Sequence, residues 1–154
     1  TKADIYEGGH RVPLLVRWPS SIKAGSVSDH TTTLTDWYAT ISELVDHRMT
    51  DGEGEDSFSL VPLLKGDGTW QRAPVINHSI NGTFAIRDGR WKLIAGSGSG
   101  GRQAPRGKPF ERPYQLYDLT ADPSERNNLI RLNPQLAEAL EKKLDDIRDA
   151  GRSR

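Results

Sequence analysis

The side chains of this 154-residue chain best suited to moving protons or holding an anion fall in three places. Lys2 and His10 bracket a Tyr6-Glu7-Gly8-Gly9 segment, and His10 follows the glycine pair, where a ring can face a site. His78 precedes a hairpin signal at Asn81-Gly82 and is the other histidine expected near a pocket. Arg102, Arg106, Lys108 and Arg112 lie within Gly96 to Pro113, a basic, flexible rim that would suit an anionic substrate such as a sulfated glycan. Structural roles for the two histidines, and a solvated linker for the basic stretch, are the competing readings. His30 and His47 sit in or beside polar loops and read as solvated.

Composition narrows the partners. The 21 basic and 21 acidic residues cancel, so no overall field favours nucleic acid or an anionic membrane. No apolar run approaches the roughly 20 residues of a spanning helix. Cysteine is absent, which removes disulfides, thiolate metal sites and a cysteine nucleophile from this stretch. The first residue is Thr1 and no signal peptide is visible, as expected for processed or excised material. Asn77-His78-Ser79 and Asn81-Gly82-Thr83 match the N-glycosylation pattern and read as incidental.

The elements that must position these residues follow from periodicity. Val12 to Trp18, nearly all apolar and closed by Pro19, predicts a short buried strand. Leu34, Trp37, Tyr38, Ile41, Leu44 and Val45 share one face of a predicted helix. Thr33 or Thr35 would cap it. Asp88-Gly89 between FAIR and RWKLI is the strongest hairpin signal, and Tyr114 to Leu119 supplies another strand. Ala95 to Pro113 is too rich in Gly, Pro and Arg for regular structure, and a connection so long is usually functional or mobile. Asn133-Pro134 opens a last helix with Leu136, Leu140, Leu144 and Ile147 as its stripe, ended by Gly151.

The segment Lys2 to Pro13 (KADIYEGGHRVP) resembles the Lys-x-x-x-Tyr/Trp-Glu-Gly-Gly-x-Arg-x-Pro signature of type I sulfatases, members of the alkaline phosphatase superfamily. Further blocks are similar in family order: VRWPSSIKAGSVSD, LTDWYATISELV, EDSFSLVPLLKG, NGTFAIRDGRWKLI and YQLYDLTADPSERNNL. The resemblance implies an α/β enzyme of which this is the carboxy-terminal portion, an α+β fragment. Residues 1–56 would end the large α/β domain, and residues 57–154 would form a small antiparallel sheet with a C-terminal helix.

It also implies hydrolysis of sulfate esters by a formylglycine nucleophile with a calcium ion, the two supplied by the N-terminal part. The chain holds no Cys/Ser-x-Pro-x-Arg motif. Asp145-Asp146, Asp118 and Asp122 lie in helix or turn contexts, so no metal site is expected within it. On this resemblance Lys2 is the sulfate-binding lysine, with His10, His78, Arg102 and Arg106 as weaker substrate-binding candidates. Arg11 and Glu7 would support the turn, and Gly8 and Gly9 would satisfy its geometry. The expected partners are a sulfated small molecule or glycan and the N-terminal portion of the same enzyme. Compartment stays open among periplasm, secretion and lysosome. A related phosphoesterase or phosphonate hydrolase, or a noncatalytic glycan-binding module, are the alternatives.

Overall fold

A computed structural model describes residues 1–154, which divide into two compact units. The first comprises Thr1–Pro13 with Pro74–Asp149, and the second Leu14–Ala73 with Ala150–Arg154. The compact units therefore interleave along the sequence, unlike the linear division at 56/57 drawn above.

The first unit is built on a meander of β1 (Val75–His78), β2 (Phe84–Asp88), β3 (Trp91–Ala95) and β4 (Gln115–Asp118). All three pairings are antiparallel and the spatial order follows the chain. The β2–β3 hairpin closes where predicted: Asp88 pairs with Trp91, and Gly89 takes φ +57° in the two-residue loop. Alternation then sorts the side chains. Ile86, Leu93, Ala95 and Leu116 face α4 (Pro134–Ala150), which buries Ala137, Leu140 and Leu144 against them. Ala85, Ile94 and Tyr117 face the other way and, with Leu119, enclose Ile5 of the opening segment. The sheet is thus covered on one side by a helix and on the other by residues far upstream in sequence.

The long connection from β3 to β4 folds back on itself. Ser99 and Gly100 N–H groups donate to Pro105 and Arg106 carbonyls at 2.9 and 2.8 Å. A Cβ on Gly98 would lie 2.3 Å from the Pro105 carbonyl oxygen, so this crossing needs glycine. The expectation of a flexible rim is corrected in this respect: the first part of the loop, Gly96 to Gly100, is largely buried and hydrogen-bonded, and residues 102–106 are exposed at its tip. Glycine allows backbones to approach where larger residues could not, which composition alone reads as looseness.

In the second unit the predicted helix is α2 (Asp36–Leu44), accompanied by the single turn α3 (Val61–Leu64). Neither Thr33 nor Thr35 caps it by side chain; the Thr33 N–H instead donates to Asp36 Oδ2 at 2.7 Å. The face buried here is the polar one. Ser57 Oγ accepts from Ala39 N–H, Thr40 Oγ1 accepts from Leu60 N–H, and buried Asp36 accepts from Phe58 N–H and Arg72. Leu34, Tyr38, Ile41, Leu44 and Val45 are left exposed. The strand expected over Val12 to Trp18 does not form, and Val12 and Leu15 are 70% and 93% exposed. A strand exists only with a neighbour to complete its ladder, and no strand of this chain pairs with this run.

Candidate functional site

The opening segment is held down residue by residue. Ile5 is fully buried, and its N–H donates to Ser99 O at 2.8 Å. Ala3 O accepts from Ile80 N–H at 3.1 Å. Asp4 accepts from the Arg102 and Gln103 N–H groups at 2.6 and 3.2 Å. Burial alone would raise its pKa, but those bonds, with others from the amino terminus and hydroxyl of Thr1, hold it well below the usual carboxylate range. Tyr6 and Tyr117 hydroxyls both donate to Gln115 Oε1, whose amide in turn reaches the Gly96 and Gly98 carbonyls. Burial foremost raises the pKa of Tyr117, keeping it a donor.

The chain then turns through α1 (Glu7–His10). A Cβ on Gly9 would stand 2.2 Å from Asp4 O, whereas one on Gly8 meets nothing within 4 Å. Only the second glycine of the pair is a requirement of the fold within this chain. The Glu7 carboxylate does not bond to the backbone of the turn it was expected to support. Its carboxylate meets Lys92 Nζ at 3.0 Å, Arg87 Nη1 at 3.2 Å and His10 Nε2 at 3.4 Å. Burial would raise its pKa, but the hydrogen bonds from His10 and Lys92 and the charges of Lys92 and Arg87 bring it down to about 2. Arg11 contributes its N–H to Glu7 O, and its residue is exposed.

That depression fixes a pH dependence. A carboxyl titrating near 2 when folded and near 4.5 when free contributes stability that is complete above 4.5 and lost as pH falls toward 2. After allowance for solvent screening this is worth about 2 kcal/mol. Urea midpoints of the chain are expected to fall between pH 5 and 2.5, and Glu7→Gln should flatten that fall. An equally steep fall in Glu7→Gln would show that other carboxyls dominate.

Of the candidate residues, Lys2 and His10 belong to the opening segment, and Arg102 meets it through its backbone N–H on Asp4. Lys2 is exposed and makes neither a hydrogen bond nor an ion pair, and Arg102 departs from a backbone N–H that touches Asp4. His10 is partly covered beside Glu7. Arg106 is exposed at the loop tip. His78 belongs elsewhere. Its ring lies 5.9 Å from that of Phe84, which packs with the α4 cluster.

Lys92 and Glu125 were not anticipated. The available signal was the lysine inside RWKLI, at a position where alternation predicts burial on one face. No group of three or more His, Asp or Glu side chains is placed to hold a metal ion. The acids that sequence might have offered are spent: Asp145 pairs with Arg148, Asp146 with Lys142 and Asp118 with Arg90, while Asp122 accepts from two turn N–H groups. The residues present do not fit a calcium site.

The model of the N-sulphoglucosamine sulphohydrolase carboxy-terminal family matches residues 1–150. The chain belongs to that family. It is a carboxy-terminal sulfatase portion, with the small antiparallel sheet and terminal helix expected of it. Among curated relatives it is 30% identical to an N-acetylgalactosamine-6-O-sulfatase of Bacteroides thetaiotaomicron, over 96% of this chain and 29% of that protein. It is 32% identical to human arylsulfatase A, over 84% of this chain and 28% of the other. A Bacteroides thetaiotaomicron structure described in terms of the metabolism of multiple glycosaminoglycans superposes with a TM-score of 0.82 at 28% identity, covering 96% of this chain and 31% of that one. The chain therefore spans less than a third of the length of these relatives.

Proposed function

We propose that this chain completes a sulfuric ester hydrolase by carrying one cationic wall of its sulfate site, with the nucleophile and calcium supplied by the N-terminal portion of the same enzyme. The observation that carries the reading is the anchoring of Thr1 to His10. Ala3, Asp4 and Ile5 after Lys2 are tied to Ile80 or to the glycine loop, and Thr1 before it to Asp4, yet Lys2 itself is left exposed and unpaired. A compact ammonium held by a fixed backbone can stabilise a sulfate as charge shifts to the leaving oxygen.

The partner is supported by what the second unit leaves open. Leu15, Val27, Leu34, Ile41 and Val45 are exposed large apolar residues, a surface that a free-standing glycan-binding module would not maintain. The N-terminal portion of the enzyme is the proposed cover. The substrate class is a sulfated glycan or a smaller sulfate ester. The relatives named for sulfated sugars favour the first, and Arg102 and Arg106 would meet its further anionic groups. The sulfatase relatives also favour sulfate over phosphate or phosphonate esters.

The 154-residue chain alone is expected to show no turnover of an aryl sulfate, with or without calcium. Turnover that Lys2→Ala abolishes would place the chemistry inside these residues and sink the reading.

A further inference from the structure

Four charged side chains converge beneath the opening segment: Glu7 from α1, Arg87 from β2, Lys92 from β3 and Glu125 from the turn after β4. Lys92 is fully buried. Its Nζ donates to Ile5 O at 2.8 Å and to Glu7 Oε1 at 3.0 Å, and lies 2.9 Å from Glu125 Oε1. The other Glu125 oxygen accepts the Glu7 N–H at 2.6 Å. Glu125 holds φ +54° to do so, a conformation that side chains other than glycine rarely adopt. The remaining titratable groups packed here are His10, Tyr6 and Tyr117; both tyrosine hydroxyls are turned to Gln115.

An ammonium buried this deeply is costly, and an apolar residue would fill a central strand more cheaply. What lysine does, and methionine cannot, is draw two carboxylates and one carbonyl to a single point. That point lies at the start of α1, five residues after Lys2 and three before His10. We propose that Lys92, together with Glu125, is a positioning residue that sets where the Lys2–His10 segment presents its cationic groups to the sulfate. The inference rests on the sulfatase reading above.

In the sulfatase that contains this chain, Lys92→Met is expected to lower kcat about 10- to 100-fold with KM nearly unchanged, because a displacement near 1 Å is enough to do so. Adding Glu125→Gln restores charge balance while keeping an acceptor for the Glu7 N–H, and should recover much of the loss. Hydrogen exchange at the Glu7 amide should quicken about tenfold in Lys92→Met and slow again in the double variant, with β2–β3 amides unchanged. Wild-type kcat in Lys92→Met, or a loss that Glu125→Gln does not repair, overturns the proposal. Should Lys92→Met fail to fold, Glu125→Gln alone must lower kcat several-fold with the fold intact; an unchanged kcat overturns it. An unaltered kcat in Lys2→Ala would instead sink the sulfatase-site reading, leaving the exchange result standing.

Discussion

In the intact sulfatase, Lys2→Ala is expected to lower kcat by about 10²- to 10³-fold while changing stability by less than about 0.5 kcal/mol. The two halves of this expectation come from the same fact. Lys2 is exposed and bonds to nothing in the chain, so its removal costs the fold nothing. A cation held where charge develops is worth about 3 to 4 kcal/mol of transition-state stabilisation, and that is what the variant loses. Lys2→Arg should not restore it, since a planar fork cannot replace a point charge at fixed reach. Steady-state kinetics with an aryl sulfate, alongside a thermal melt, would decide. A normal kcat refutes the role, and a lowered melting point with lowered kcat would make Lys2 structural.

Gly9→Ala should be strongly damaging for so small a substitution. The added methyl would sit 2.2 Å from Asp4 O and 3.0 Å from Thr1 O, and both obstacles are backbone. No rotamer can relieve it, so α1 must lift from the turn before it. That would pull Glu7 from Lys92 and Asp4 from the loop amides. A cost of about 3 kcal/mol is expected, at the upper end of overpacking changes. Gly8→Ala is the internal control: its methyl meets open space and alanine favours helix, so stability should hold within about 0.5 kcal/mol. Denaturant midpoints of the 154-residue chain for the pair would test this. Equal behaviour of the two variants would contradict the geometry.

Much of this fold was legible because it is written in short-range pattern. The Asp88-Gly89 turn, the strands flanking it and the α4 stripe of Leu140 and Leu144 each declare themselves within a dozen residues. The YEGG block likewise identified the family through local identity. What sequence could not give was contact between distant residues. Lys92 and Glu7 are 85 residues apart, so nothing near either names the other. The glycine loop looked loose because composition counts glycines without showing which backbones they let touch. Val12 to Trp18 and the apolar stripe of α2 read from sequence as buried surfaces, and the structure leaves both exposed. No strand of this chain pairs with the run, so it has no ladder, and the stripe of α2 faces outward.

The interleaved make-up of the first unit bears on how such a protein can be inherited. Its sheet takes one covering from Pro134–Ala150 and the other from Thr1–Pro13, with residues 14–73 belonging to a different body between them. A recombination crossover anywhere within that intervening stretch would deliver the sheet without the residue that fills it, Ile5, and without the carboxylate that answers Lys92. The gene segment encoding residues 74–154 is therefore not a cassette. The lysine motif and the sheet that seats it must travel together, so lineages that exchange carboxy-terminal pieces should break upstream of Lys2 rather than after it.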